Sequence, residues 1–214
     1  MIDFSELGTI WNIIEPIVTI LTIVFSLAIY FRDPLRRWRF FGYRPTAIMV
    51  IYDPQTMSVL LIKSNQNKSF WHFSQGGIYT SEINTTIEEI IRRELGIKPG
   101  SYRLRYIEEI GTIKIKNRER SQRDLIGFLS IRRKIQGKGY IACYIQADLE
   151  KIKKEIKAGY ATTETKIFSV DEAKKLFESK LKTAPDMRVK KLRLLIEILE
   201  KVENDVKNGE GNGI

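Results

Sequence analysis

Hydrophobic positions change their rhythm along the chain. From Ile10 to Phe31 they are almost unbroken, about 22 residues, which at the helical rise reach across roughly 30 Å of hydrocarbon. The run predicts one membrane-spanning helix, residues 10–31, after a short segment 1–9. A buried core helix and a cleaved signal peptide share such a run. A signal peptide opens with basic residues and ends in small ones, whereas here Asp3 and Glu6 precede the run and Arg32, Arg36, Arg37 and Arg39 follow it. By the positive-inside rule these arginines stay cytoplasmic, which predicts a single-pass protein of the cell inner membrane with its acidic N-terminus outside and its C-terminal domain cytoplasmic. Trp11, Tyr30 and Trp38 suit the two interfaces, where an amphipathic ring has one apolar and one wet side. Glu15 costs several kcal/mol in hydrocarbon unless it is paired, protonated or near the headgroups. Two readings stay open. Glu15 reaches the outer interface, with Pro16 near the first turn of the inserted helix, or it faces neighbouring copies in an oligomer and lines a water path. The expected membrane residues are Glu15, Pro16, Arg36 and Arg37.

After a basic juxtamembrane segment, residues 32–45, the rhythm becomes that of strands. Runs of β-branched residues at Thr46 to Tyr52 and Ser58 to Ile62 flank the turn Asp53-Pro54-Gln55-Thr56-Met57 and predict a hairpin. A polar loop, Lys63 to Ser69, leads to Phe70-Trp71-His72-Phe73-Ser74-Gln75-Gly76-Gly77. Ile87, Ile90, Ile91 and Leu95 then form a helical stripe that stops at Gly96, with Thr85 and Glu88 as its capping box. Strands are predicted at Arg103 to Lys116 and Gly139 to Gln146, separated by a basic, turn-rich loop around Arg118 to Arg123. Helices follow at about Leu149 to Ala158 and Val170 to Lys180. The last helix, after Pro185, carries Leu192, Leu195, Ile196, Leu199, Val202 and Val206 at the same spacing, a stripe that reads as core. Residues 208–214 are a Gly- and Asn-rich tail, expected to be mobile. The pattern predicts one α/β domain with a mixed sheet over residues 46–207 and contains no internal repeats.

Composition changes this picture little. A chain of 214 residues accommodates a membrane segment and one globular core. Its apolar and charged fractions, 43% and 29%, exclude wholesale disorder and a multi-span membrane protein. The single cysteine, Cys143, excludes an internal disulfide and, within the run Tyr140 to Ile145, reads as a small buried thiol. His72 is the only histidine, which excludes a His-based metal cluster or catalytic triad within one chain. Charge matters more. A net +10 favours an anionic partner, whether phosphate ester, nucleic acid or an anionic leaflet. Basic residues concentrate at Arg92 and Arg93 and at Lys114, Lys116, Arg118, Arg120 and Arg123. The second group lies on a predicted loop that either docks an anionic ligand or headgroup or is simply solvated.

The stretch Trp71-His72-Phe73-Ser74-Gln75-Gly76-Gly77-Ile78, with the preceding hairpin, resembles the beginning of a Nudix domain in the Trp-x-Phe-Pro-Gln-Gly-Gly form of RNA pyrophosphohydrolases. The resemblance covers about Pro45 to Gly96, and beyond it the order of elements alone agrees. It implies an α/β/α sandwich with a mixed sheet. In that family a Gly, five residues and a Glu begin the Nudix box, a spacing that Gly76 and Glu82 keep. The second half reads Arg-Glu-hydrophobic-x-Glu-Glu-x-Gly-hydrophobic, and its carboxylates hold the divalent ions that activate water against a diphosphate. Anchoring on Gly96-Ile97 sets Glu89, Ile90, Ile91, Arg92, Arg93, Glu94 and Leu95 across the box. Glu94 then matches a family glutamate, Ile90 and Arg93 stand where the other two belong, and the segment is about one residue short. Overlaying Arg93-Glu94-Leu95 on the family's Arg-Glu-hydrophobic instead deletes the paired glutamates.

An arginine in place of a carboxylate opposes a metal ion and attracts phosphate. No catalytic residue, metal or other cofactor is therefore expected, while a phosphate pocket persists. Its expected lining is Trp71, Gln75, Arg92, Arg93 and the basic loop from Lys114 to Arg123. Arg92 and Arg93 also read as a solvated face paired with Glu88 and Glu89 at i to i+4. Under the enzymatic alternative, Glu82, Glu88, Glu89 and Glu94 form a rearranged metal site. Trp71 and Phe73 read as core on one face, or one of them stacks on a nucleobase at the pocket mouth, and His72 stacks or hydrogen-bonds beside Trp71.

A membrane span followed by a Nudix-like domain with a depleted box is similar to the transmembrane Nudix effectors of bacterial cyclic-oligonucleotide anti-phage signalling, CBASS. That family has typically more than one membrane segment, and this chain shows one. The resemblance implies a domain that senses a cyclic nucleotide, with the lipid membrane and the cyclic oligonucleotide as partners and no double-stranded nucleic acid. It also implies a homo-oligomer on activation, whose assembled helices disrupt the membrane. The rival is a membrane-tethered Nudix hydrolase cleaving a nucleoside diphosphate derivative with Mg²⁺. A ligand-independent membrane scaffold, the third reading, predicts neither binding nor turnover.

Overall fold

The apolar run and the residues before it form one continuous helix, α1 (Phe4–Arg32). The computed structural model describes residues 4–65, 67–79, 82–114, 121–126, 129–134, 136–156 and 162–208, with side chains at 14–65, 70–79, 82–114, 136–156, 162–185 and 188–208. Trp11 and most of the 208–214 tail therefore lie outside the described side chains. Within α1 the segment Ile14–Arg32 is long and apolar enough to cross a membrane, and none of it is buried against the rest of the protein. Leu21 and Phe25 are more than 60% exposed, so this is not a core helix. Pro16 was expected near the first turn, yet it lies well inside α1 because the helix already begins at Phe4. Proline has no N–H to offer the preceding turn. The hydroxyls of Thr19 and Thr22 donate to the Glu15 and Val18 carbonyls at 2.8 Å each, satisfying polar groups within the helix as a hydrocarbon setting demands.

Asp33 alone separates α1 from a short second helix, α2 (Pro34–Phe40). Its carboxylate caps α2 by accepting from the Leu35 N–H at 2.9 Å, and Pro34 holds the first helical position, where its missing donor costs nothing. Residues 32–45 are thus no free connector. Leu35 and Trp38 are buried in the domain core. Trp38, expected at the membrane interface, is 3% exposed, and its indole lies where a Cβ on Gly139 would be. The aromatic residues left near the end of α1 are Tyr30, Phe31, Phe40 and Phe41, whose rings pack in sequence, Phe31 against Phe40 at 4.9 Å and against Phe41 at 6.0 Å between centroids. Phe40 and Phe41 are exposed.

Then come β1 (Tyr43–Asp53) and β2 (Ser58–Ser64), the expected hairpin, with Tyr52 opposite Val59. Asp53 accepts from the Gln55 N–H at 2.9 Å in the turn. The loop expected at Lys63 to Ser69 is mostly strand, because β2 runs to Ser64 and β3 (Asn67–His72) pairs back on it. β4 (Ser74–Gly77) follows and pairs with the first half of β1. The chain continues through α3 (Ile83–Leu95), β5 (Arg103–Lys114), the ribbon β6 (Ser121–Ile126) and β7 (Leu129–Lys134), and β8 (Gly137–Gln146). It ends with α4 (Leu149–Ile152), β9 (Thr162–Ser169), α5 (Val170–Leu181) and α6 (Asp186–Lys207).

The main sheet has seven strands in the order β3-β2-β1-β8-β5, with β4 on β1 and β9 on β2. It is mixed, since β1 and β8 run parallel and the other pairs antiparallel. From Pro45 onward β1 is buried on both faces, as its continuous run Ala47 to Tyr52 requires. Side chains alternate between two cores. Ala47, Met49 and Ile51 face α2, α3 and α4, while Ile48, Val50 and Tyr52 face α5 and α6. The result is an α/β/α sandwich. The stripe on α6 is core as expected, with Leu192, Leu195, Leu199 and Val202 fully buried and Ile196 and Val206 packed at its margin. Cys143 is buried, and burial pushes its thiol up to about 12, well away from a reactive thiolate.

Other expectations fail for local reasons. Thr85 does not start α3: Glu82 occupies the N-cap without a side-chain cap, and Thr85, one turn in, donates to the Glu82 carboxylate at 3.2 Å. A capping box does exist on α5, between Ser169 and Glu172. The helix predicted to reach Ala158 ends at Ile152. Arg123, assigned to a loop, lies in β6, opposite Arg132. That ribbon pairs with itself, so no alternating apolar face announced it.

The seat of Trp38 makes a prediction. A methyl group in Gly139→Ala displaces the indole and costs about 1–3 kcal/mol, and Trp38→Ala costs about 3–5 kcal/mol. Denaturant unfolding of the full-length protein in detergent is expected to show a double variant less destabilised than the sum. Strict additivity would mean that the two do not touch.

Candidate functional site

The motif that suggested a site lies on β4 and on the helix that follows it. Neighbouring residues on β4 point to opposite faces of the sheet. Gly76 faces α3, where a Cβ would stand 2.6 Å from the Ile90 side chain; only hydrogen allows the helix to pack this closely. Gln75 faces the other way, and its amide oxygen accepts from the Lys191 ammonium on α6 at 3.3 Å.

On α3 the amphipathic pattern decides which acids can cooperate. Thr86, Ile87, Ile90, Ile91, Glu94 and Leu95 are buried, whereas Glu82, Glu88, Glu89, Arg92 and Arg93 are exposed. Glu94, the residue that matches the box, is 7% exposed, and Arg93 Nε donates to its Oε1 at 3.1 Å. Among the described residues no ion pair joins Arg92 or Arg93 to Glu88 or Glu89, so the expected i to i+4 pairing is replaced by this neighbour contact. Nor do three or more Asp, Glu, His or Cys side chains come together anywhere among the described residues so as to hold a metal ion. Glu82, Glu88, Glu89 and Glu94 are therefore not assembled into the rearranged metal site of the enzymatic alternative. Ile90, where a family glutamate belongs, is sealed in apolar contact at 2% exposure.

The residues expected to bind a nucleotide are split between the two faces. Arg92 and Arg93 project from α3 into solvent, while Gln75 and Trp71 lie on the α5–α6 side. Trp71 is half-buried, edge-on to Phe168 at 5.2 Å, with the Lys63 ammonium 4.4 Å over its ring. That ring face is therefore engaged by the protein itself. Phe73 is fully buried, as expected of core. Lys114 is exposed at the end of β5. Lys116, Arg118 and Arg120 lie outside the described residues, as does the side chain of Arg123. Of the membrane residues, Arg36 lies over the Tyr30 ring and pairs with Asp33, whereas Arg37 reaches Glu109 on β5. Arg39 donates to the Ile78 carbonyl at 3.0 Å and Arg44 to the Tyr79 hydroxyl, so the loop after the motif is bonded to the chain that follows α1. Glu15 is exposed on α1.

Around Gln75 the structure assembles a group of residues that the periodicity of the chain does not single out. Lys191 is partly buried, and burial first, then the positive charges of Lys138 and Arg188, push its ammonium down to about 8. His72 stacks on Phe70 at 6.3 Å, not on Trp71. Its ring hydrogen-bonds at Nδ1 to the Phe73 carbonyl at 2.7 Å and at Nε2 to the Ser64 hydroxyl at 3.3 Å. Burial lowers its pKa to about 4; the Phe73 carbonyl opposes this, and the charges of Lys191 and Lys138 reinforce it. The spacing of Arg188 and Lys191, one turn apart on α6, was the available signal, hidden by the apolar stripe on the same helix.

No protein-family model matches the sequence, and no curated protein matches it. Among solved structures, the chain is similar to an Ap4A hydrolase of C. elegans in a binary complex, with 13% identity and a TM-score of 0.46, covering 74% of this chain and 98% of the other. It is also similar to the dihydroneopterin triphosphate pyrophosphohydrolase of E. coli, with 14% identity and a TM-score of 0.38, covering 63% and 87%.

Because His72 is the only histidine, its ring gives an unambiguous proton resonance. The unfolded chain takes up the proton near pH 6.5 and the folded one only near pH 4. Stability is therefore expected to decline as pH falls through that window and to lose nothing further through His72 below it, on the order of 3 kcal/mol in all. An NMR titration is expected to show a neutral ring at pH 5.5; a midpoint above 6 refutes the buried, cation-flanked placement.

Proposed function

We propose that the protein is a membrane-anchored nucleotide sensor, a Nudix-like domain that binds a cyclic nucleotide without hydrolysing it, as the transmembrane Nudix effectors of CBASS do. The observation that supports this most directly is the fate of the acids on α3. Glu88 and Glu89 face solvent, Ile90 fills the contact with Gly76, and Glu94 carries the Arg93 guanidinium on its carboxylate. Hydrolysis of a phosphoanhydride in the Nudix manner needs several hard oxygen ligands converging on divalent ions. Here a protein cation takes the place that one ligand would offer a metal, and recognition of the phosphates falls to side-chain cations.

The exposed apolar surface of Ile14–Arg32 supports the anchor, and Arg32, Arg36, Arg37 and Arg39 support a cytoplasmic domain of an inner-membrane protein. In this reading the ligand favours an assembled state of the domains, to which it binds more tightly than to the separate ones. Assembly draws α1 helices bearing Glu15 together in the bilayer, and the membrane is disrupted there.

The test uses the full chain in lipid nanodiscs with Mg²⁺ or Mn²⁺ and a panel of nucleoside diphosphate derivatives, dinucleoside polyphosphates and cyclic oligonucleotides. One nucleotide class is expected to stabilise the fold, by about 2.7 kcal/mol at a hundredfold excess over Kd. Chelator should leave that gain unchanged, and no product should appear. Rapid metal-dependent cleavage that Glu94→Gln abolishes would establish the hydrolase instead.

A further inference from the structure

On the α5–α6 side of the sheet, away from α3, a cavity of about 290 Å³ opens where the chain passes from α5 into α6. Its wall has two halves. Lys180 on α5 and Arg188 and Lys191 on α6 supply cations, while Phe70 on β3, Pro185 and Leu192 supply an apolar surface. None of the described lining residues is acidic. One of the three cations is not an ordinary solvated lysine. Lys180 and Arg188 are exposed, but Lys191 lies in the wall, held by the neutral amide of Gln75 at 3.3 Å. Lys138 is close enough to act on both Lys191 and His72.

Setting Arg188 and Lys180 in the same wall as an ammonium that burial already disfavours opposes folding unless an anion joins these three. His72 adds no further positive charge, since it is neutral at physiological pH, and its ring backs Phe70. A cationic wall facing an apolar wall suits a molecule with a phosphate at one end and an organic body at the other. The volume is at the small end for ligand pockets, which run from roughly 300 to 1,000 Å³. One nucleotide unit suits it, and a whole cyclic oligonucleotide exceeds it.

We propose that this cavity binds an organic phosphate of mononucleotide size, or one nucleotide unit of a larger ligand, with Lys180, Arg188 and Lys191 on the phosphate and Phe70, Pro185 and Leu192 against the organic body. The assignment rests on the reading of the domain as a nucleotide sensor and places recognition on the face opposite Arg92 and Arg93. Gln75 then positions Lys191 and does not read the base.

Calorimetric titration of the full-length protein in detergent tests this, with inorganic phosphate, adenosine 5′-monophosphate and a cyclic dinucleotide as probes. The organic phosphates are expected to bind more tightly than inorganic phosphate. Lys191→Met is expected to weaken them by roughly tenfold or more and to raise the melting temperature of the ligand-free protein, since a crowded charge has gone. That rise separates lost binding from lost folding. Arg188→Gln is expected to weaken binding several-fold, and Arg92→Gln with Arg93→Gln to leave it unchanged. Affinity unchanged in Lys191→Met, or lost in the α3 double variant instead, would overturn the cavity assignment while leaving the sensor reading in place. Binding lost in Lys191→Met but accompanied in the wild type by metal-dependent turnover would uphold the cavity and overturn the sensor. Failure of every probe to bind the wild-type protein would overturn the proposal.

Discussion

The burial of Trp38 over Gly139 is the contact on which the organisation of the molecule depends. A stretch as rich in arginine as residues 32–45 would otherwise run as a solvated tether. Instead an indole inserts where β8 lacks a side chain, and burying so large an aromatic surface is worth a few kcal/mol. The polar contacts beside it are weaker and give direction rather than strength. Arg37 on Glu109 is half-exposed and contributes little by itself, while Arg39 on the Ile78 carbonyl ties the loop after the motif to the same short helix. With α2 fixed, β1 enters parallel to β8 and the rest of the sheet follows.

A second constraint is the pleat of β4. Because Gln75 and Gly76 must point apart, a motif that looks like one unit in the sequence serves two layers. Gly76 admits α3, with Ile90 as its contact residue. Gln75 meets the cations of α6. The motif thus joins the two layers, each with its own apolar core.

How much could be read beforehand follows from what leaves a periodic trace. The hairpin of β1 and β2, the strand around Cys143 and the stripe on α6 bury apolar residues at regular intervals, and the membrane-length helix is one long apolar run, so the sequence shows them. Trp38 does not: a lone tryptophan among arginines has the same local signature at a headgroup layer as in a core, and Gly139, which decides the matter, is about a hundred residues away. The ribbon of β6 and β7 leaves no trace because neither SQRDLI nor LSIRRK alternates apolar and polar residues. At the site, Ile90 against Gly76 was legible because it belongs to the apolar stripe of α3. The partnership of Gln75 with Lys191 was not, since it joins positions 116 residues apart and uses polar residues on a helix whose obvious message was apolar.

Asp33 is the whole of the chain between α1 and α2, and its side chain is spent on capping α2. Mechanically this leaves almost no slack. A long flexible leash would let the globular part swivel freely about α1; a joint of one residue makes the two move as crank and shaft, so that whatever turns the one must also tilt the other.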